Sequence, residues 1–460
     1  MSAGALSLGR LGRASKSKSK GKGRSKKRAR RAVSTEYNLL LTATLCLLAL
    51  GAVMVFSASS TTRLLQNGGL SDSAFYLKRT LMFGAVGLIA MHVVARHGLV
   101  AVRRLTPFLL GGSMFLLVVV LVAGNSVNGA SRWIGSGFLQ IQPSELAKVA
   151  LILYGADLLA RKPKRVRSIE GFMPFLLVTG AACMLMMLEP DMGTTMVVTF
   201  AVAATLLAAG ARPRDLLLIG AGIAVLALLL AVVEPYRMAR LTGFLNPGSD
   251  AEGAGFQAAQ AKIALGSGGI FGVGIGNGVQ KAFYLPEAHT DMISAVIGEE
   301  LGLIGIVGVV GLFAMFGYAG LKVAQKAKDN YGKLLVAGLT SLILVQATIN
   351  LFAVMGLAPL TGVPLPFVSY GNSSLMASLF AVGLILNVAR GGTASAARTG
   401  SGTTRRSTGA GKLRVVEGGR SPARERSRSS GARKAKSGGG SRGNGGARRP
   451  RNGGRRRASG

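Results

Sequence analysis

Residues 172–210 read FMPFLLVTGAACMLMMLEPDMGTTMVVTFAVAATLLAAG. Two apolar runs, 172–188 and 192–210, meet at Glu189-Pro190-Asp191. Each run has the length that crosses the hydrocarbon core of a bilayer as a helix, roughly 17–25 residues. The polar residues between them suffice for a tight turn. The stretch therefore reads as a helix through a membrane and a helix straight back. The pattern recurs in both directions: further apolar runs lie at about 38–58, 78–96, 105–124, 143–161, 214–233, 291–321, 332–356 and 370–390. Together they predict an all-α polytopic membrane protein with about ten transmembrane helices. The first run follows 37 mostly polar residues and lacks a small-residue cleavage pattern, so it is expected to stay in the membrane.

Charge divides the chain in three. Residues 1–37 hold 12 Lys/Arg against 1 acid, and residues 391–460 hold 19 against 2. The segment 38–390 holds 24 against 15, so little of the net +37 belongs to the fold. Its apolar runs exclude a soluble nucleic-acid binder. The tails are Gly, Ser, Lys and Arg with almost no aromatics. They read as disordered basic segments near anionic headgroups or docked to an acidic partner. Without stacking side chains they predict no nucleic-acid partner. Cys46 and Cys183 both sit in apolar runs, which excludes a disulfide scaffold.

Orientation follows from basic residues in short loops. Arg96, Arg103 and Arg104; Arg161 to Arg167; Arg212 and Arg214; and Lys322 to Lys333 fall on one side when there are ten spans. Both basic tails then join that side, the cytoplasmic one. Lys78 and Arg79 are the exception. The opposite side carries one long polar segment, 234–290.

Ionisable groups near a bilayer mark function or a structural pair. Glu145 and Lys148 lie three apart on one helical face, so they can pair with each other or line a cavity for a charged headgroup. Glu299 and Glu300 follow Asp291 by about two turns and are expected to face the same wet cavity. In the polar segment, Arg237, Arg240 and Lys281 suit a diphosphate. The run GSGGIFGVGIGNG at 266–278 does not fit the dinucleotide-binding glycine pattern. Its glycines read as close turns or close approach to a bulky ligand. LPEAHTDM at 285–292 puts Glu287, His289 and Asp291 together. With only three histidines in the chain, no zinc site is expected. A partly desolvated Asp291 suits a general base; equally, Thr290 or Asp291 suits the cap of the following helix. Three prolines in 356–374 predict a semi-rigid, non-helical loop, tolerated at membrane depth only where it is buried or lines a cavity.

Taken together, NGASRWI (128–134), QPSELAK (142–148), EPDMGT (189–194), LPEAHTD (285–291), GEELG (298–302) and PLTGVPLPFVSYG (359–371) resemble the SEDS family of peptidoglycan polymerases, the FtsW/RodA/SpoVE group. The resemblance spans about 38–390, is nearest FtsW, and departs at Met292, Ser294 and Asn372. It implies three regions: a basic tail 1–37, a polymerase domain 38–390 and a basic tail 391–460. It also implies transfer of glycosyl units from lipid II on the outer face of the plasma membrane during cell division. Asp291 is then the essential carboxylate. Around it, the substrate-binding set is Arg132, Glu145, Lys148, Arg237, Arg240, Lys281, Glu287 and His289. The leaving diphosphate needs one or more of those cations, or a divalent cation such as Mg or Mn. The implied partners are a class B penicillin-binding protein and other division proteins. Two rivals share the architecture: a lipid II flippase, which needs ionisable groups through the full membrane depth, and a non-catalytic division scaffold.

Overall fold

The computed structural model describes residues 34–66, 74–127, 130–135, 140–233, 238, 242–244 and 254–393. The tails before 34 and after 393, together with Arg237 and Arg240, lie outside the described residues. The helices are α1 Ser34–Gln66, α2 Phe75–Ala123, α3 Pro143–Arg161, α4 Ile169–Leu188, α5 Met192–Ala209 and α6 Pro213–Val233. They continue with α7 Ala254–Ser267, α8 Gln280–Phe283, α9 Ile293–Lys326, α10 Asn330–Val354 and α11 Asn372–Ala389. One antiparallel hairpin pairs β1 Asn125–Val127 with β2 Ala130–Trp133. Every predicted span falls on a helix, because a helix satisfies its backbone polar groups without water. Among the described residues, seven helices are long and apolar enough to cross a bilayer. The chain is an all-α polytopic membrane protein.

Burial orders the bundle. The apolar windows of α10 and α11 are 78% buried, against 22% for α2 and 28% for α4 and α9. So α10 and α11 form the centre. α10 packs on α9, α5 and α3, and α11 packs on α2.

The two predicted spans 78–96 and 105–124 are joined in α2, with no non-helical residue recorded between them. A straight helix of 49 residues would be about 74 Å long. Its contacts forbid that. Its start runs beside α11: Gly84 faces Leu375, Gly87 faces Leu379, and Asn387 Nδ2 donates to the carbonyls of Val94 and Ala95. Arg103 then pairs with Asp157 near the far end of α3. Beyond α2, Asn125 pairs with Trp133, and neighbouring Arg132 reaches the carbonyls of Glu189 and Pro190 at the end where α3 begins. Both ends of α2 therefore lie on one side. The helix doubles back around 96–107, where Pro107 removes a backbone donor.

α9 contains a true break. Gly302 has φ +66 and ψ −161, so the bonds that Leu303 and Ile304 would make to Glu299 and Glu300 are lost. The glycine-rich segment replaces them. Val273 and Gly274 donate to the carbonyls of Glu299 and Glu300 at 3.0 Å, and Leu303 and Ile304 donate to those of Gly269 and Ile270. Close approach is why the segment is glycine-rich: a Cβ at Gly302 would lie 2.5 Å from Ile270 O and 2.7 Å from Ile270 C. The predicted role of these glycines in close turns is met here by backbone-to-backbone docking on α9. The segment 234–290, predicted as a polar loop, carries α7, α8 and this docked strip in its described part.

Gly302→Ala is expected to lower the melting temperature in detergent, since a side chain is strained at this φ and has no room. Gly308→Ala, on the same helix with nothing within 4 Å of its new Cβ, is expected to be neutral or stabilising by up to about 1 kcal/mol. Equal shifts for the two variants would refute the break as a structural necessity.

Candidate active site

The loop 359–371 organises one end of the bundle. It is irregular backbone buried among helices, so its carbonyls need donors from side chains. Two residues of α10, one turn apart, supply them. Gln346 Nε2 donates to Pro364 O at 2.9 Å, and Asn350 Nδ2 donates to Val363 O at 2.8 Å. Small residues of two other helices meet the loop's backbone. Gly51 of α1 lies against Phe367 and Val368, and Gly193 of α5 against Thr361. Phe367 is buried with φ +66, a strained position held by this packing.

Asp291 hangs from the same donor. Asn350 Nδ2 also donates to Asp291 O at 2.7 Å, while its Oδ1 accepts from Ser294 at 2.8 Å. One amide thus fixes the turn carrying Asp291 to the proline loop. Asp291 is half-buried, and its Oδ2 lies 3.9 Å from where a Cβ on Gly362 would be. Thr290 Oγ1 lies 3.2 Å from Asp291 Oδ1, 2.9 Å from Glu287 Oε2 and 3.0 Å from Glu287 O. Its single proton serves one of these at a time. The reading of Thr290 or Asp291 as a helix cap is corrected: the cap of α9 is Met292, with no side-chain hydrogen bond. Glu287 is exposed at φ +54. His289 packs with Tyr76 and Tyr370, ring centroids 4.4 and 5.5 Å away, and its carbonyl accepts from Tyr370 N.

The pair Glu145–Lys148 forms at 2.9 Å and is buried. Lys148 also donates to Gln346 Oε1 at 2.9 Å, which ties it to the proline loop. Asp191 caps α5 by accepting from Thr194 N, and its Oδ2 accepts from Ser144 and Gln142. Arg132 donates to the main-chain carbonyls of Glu189 and Pro190. So Lys148 and the Asp291 turn are tied to the proline loop through Gln346 and Asn350, while Arg132 and Asp191 belong to the turn before α5, whose Gly193 lies against Thr361. Arg79, which broke the charge pattern, is buried 6.0 Å from the Tyr370 ring, and the Asn372 side-chain amide lies beside it.

Two expectations fail. Lys281 does not face a ligand: it is buried, 2.5 Å from Glu300 and 2.9 Å from Ser57 Oγ, whose hydroxyl donates to Glu300. Glu299 and Glu300 do not share a wet cavity with Asp291. Glu299 accepts from the backbone N–H groups of Val279 and Gln280 at the start of α8. Both acids hold the polar segment to α1 and α9. Sequence reasoning also missed Gln346 and Asn350, although polar side chains one turn apart in an apolar run are a visible signal. Among the described residues no three His, Cys, Asp or Glu side chains converge. Those residues therefore form no all-protein cage for a divalent cation.

Glu189 stands apart. It is 1% exposed, in the turn between α4 and α5, and neither carboxyl oxygen finds a hydrogen-bond partner among the described residues. Burial, then the carboxylate of Asp191, push it up to about 8, against the opposing pull of Arg132. Between the ordinary 4.5 and about 8, the folded chain keeps a proton that the unfolded chain has lost. Stability from this group therefore falls as pH rises through that window and levels off above it.

The chain is similar to proteins of one family. The FtsW/RodA/SpoVE family, described as "Cell cycle protein", matches residues 37–393. The chain is 42% identical over 362 residues to "Probable peptidoglycan glycosyltransferase FtsW" of Trichlorobacter lovleyi, covering 77% of this chain and 94% of that one. It is 41% identical over 356 residues to "Stage V sporulation protein E" of Bacillus subtilis, covering 76% and 96%. A solved structure titled "Structural coordination of polymerization and crosslinking by a peptidoglycan synthase complex" superposes with TM-score 0.62 at 29% identity, over 76% of this chain and 96% of that one.

Lys281→Met should leave the Glu300 charge buried and cost about 3–5 kcal/mol; adding Glu300→Gln should restore much of the melting temperature. Failure of the double variant to recover would point to a role for Lys281 beyond its partner. Glu189→Gln should flatten the pH dependence: between about pH 6 and about pH 9 the wild-type melting temperature falls while the variant's holds. A parallel decline in both would refute a protonated Glu189.

Proposed function

Since the chain belongs to the FtsW/RodA/SpoVE family, we propose that it is a peptidoglycan glycosyltransferase. It polymerises lipid II into β-1,4 glycan strands at the outer face of the plasma membrane during cell division. Ten membrane crossings, two of them within α2, put the basic tails and the Arg103 end of the bundle in the cytoplasm. The Asp291 end then faces outward. The observation that carries the reading is a half-buried carboxylate on a turn tied by Asn350 to the proline loop. Around that loop the pairs Glu145–Lys148 and Arg132–Pro190 converge.

The chemistry needs little else. A sugar hydroxyl is a poor nucleophile at neutral pH, and a positioned carboxylate accepting its proton contributes typically 10²–10⁴-fold. Asp291 takes the proton of the acceptor's 4-hydroxyl as that oxygen attacks the anomeric carbon of the donor. Attack from the face opposite the diphosphate converts an α-linked donor into a β link in one inversion. The turn's other polar side chains, Glu287 and His289, border the acceptor. The departing diphosphate gains negative charge and requires fixed cations. Arg132 supplies one, and the sequence offers Arg237 and Arg240, outside the described residues, for the rest. Lys148 acts through Glu145 and Gln346, holding the proline loop, rather than through the phosphate. Lys281 is spent on Glu300.

The chain has no Ser-x-x-Lys and Lys-Thr-Gly set for cross-linking. A class B penicillin-binding protein, with the other division proteins, supplies that activity from outside this chain.

Purified protein with its penicillin-binding partner and labelled lipid II is expected to give a glycan ladder on gels. Asp291→Asn should slow it by about 10²–10⁴-fold with an unchanged melting temperature. Ladders from the variant at the normal rate would remove Asp291 as base. Movement of labelled lipid between leaflets without any ladder would establish a flippase instead.

A further inference from the structure

A cavity at the opposite end of the bundle from Asp291 has no part in the reaction. It has a volume of about 730 Å³ and opens between α2, where that helix doubles back, and α3 and α4. Arg103, Arg104 and Arg161 line its polar side, with Asp157 as the one carboxylate among the lining residues. Asp157 is shared: Arg103 Nε reaches it at 2.7 Å and Arg161 Nη2 at 2.5 Å. Three guanidinium groups against one carboxylate leave the cavity with two net positive charges. The wall beyond them is hydrocarbon, made by Pro107, Leu110 and Met114 of α2 and Val178 of α4. Gly111 opens that wall, since a Cβ there would meet nothing within 4 Å.

Arg104 and Arg161 are exposed, as are Lys162 and Arg165 just beyond α3. What sets the first two apart is that, with Arg103, they line one concave site whose other wall is apolar and belongs to a membrane-spanning segment. A ligand that satisfies both walls carries a phosphate anion and a hydrocarbon chain in one molecule. Guanidinium groups bind phosphate in a two-pronged geometry, and basic pockets between transmembrane helices select anionic headgroups. The volume also falls within the usual range for small-molecule sites. From this charge complementarity we propose that the cavity binds an anionic diacyl phospholipid of the bilayer, headgroup on Arg104 and Arg161, one acyl chain along Leu110, Gly111 and Met114. Arg103 is the positioning residue: it is held between Asp157 and the ring of Tyr331, 4.7 Å away. A lipid seated there braces the reversal of α2 against α3.

The test uses the full-length protein, stripped of lipid in detergent and titrated with phosphatidylglycerol or phosphatidylethanolamine. Binding is read by native mass spectrometry and by the shift in melting temperature. The expected result is one retained phosphatidylglycerol and a raised melting temperature, with no such effect from phosphatidylethanolamine. The double change Arg104→Gln with Arg161→Gln removes charge, and Gly111→Leu fills the chain-binding wall without touching an arginine. Each is expected to weaken retention by at least tenfold and to leave glycan polymerisation in saturating detergent unchanged. Equal retention of the two lipids, or unchanged retention in both variants, would overturn the proposal. So would stoichiometric replacement of phosphatidylglycerol by a polyprenyl phosphate. If Gly111→Leu fails to fold, the charge variant alone decides.

Discussion

One constraint governs the active end of this protein: the proline loop is irregular backbone surrounded by helices. Its prolines cannot continue a helix, and its buried carbonyls cannot be left bare. Gln346 and Asn350 answer both demands with side-chain amides from the central helix α10. Everything nearby takes its position from these two residues. Asn350 spends its second N–H on the Asp291 carbonyl, and Gln346 spends its oxygen on Lys148. The turn that carries Asp291 and the Glu145–Lys148 pair are therefore registered to the same strip of backbone. Losing an amide here would orphan two groups at once, at about 1–3 kcal/mol each.

A second layer of polar pairs keeps the long outer segment in place. Lys281, Ser57 and Glu300 join α8, α1 and α9, while Glu299 holds the start of α8. The break at Gly302 exposes backbone groups that the glycine-rich strip then satisfies. Lys281, which suits a diphosphate in the sequence, and the glycines of 266–278, which read there as close turns or ligand approach, both fix the scaffold. A buried ion pair at this depth is costly to break and adds less stability than it appears to. Its value lies in specifying one arrangement of α8 and α9 behind the turn that carries Asp291.

The reading of a single carboxylate as base fits this economy. Asp191 is saturated by Thr194, Ser144 and Gln142, and Glu145 is held by Lys148. Glu189 is buried and favours its neutral form. Of the described acids near the proline loop, Glu287 and Asp291 share the one turn left open to solvent, and the Asp291 carbonyl accepts from Asn350, which also holds the loop. The opposite end of the bundle is built differently, from arginines over a hydrocarbon wall, in keeping with a face that meets lipid rather than substrate.

The amino-acid sequence by itself determined the helices, since twenty apolar residues in a row leave the backbone no other way to satisfy itself in lipid. It also marked Asp291 and the Glu145–Lys148 pair, because ionisable groups at membrane edges are few. What it did not carry was which charges spend themselves on each other. Lys281 and Glu300 are 19 residues apart, Ser57 and Glu300 are 243 apart, and no local spacing announces such partners. The reversal within α2 was legible as two spans joined by a basic loop; that the chain stays helical between them was not. Only the packed bundle decided that Lys281 braces the scaffold and that Asn350 ties the Asp291 turn to the proline loop. Burial converts a charge or an amide from a free group into one that must find a partner, and tertiary contacts alone choose it.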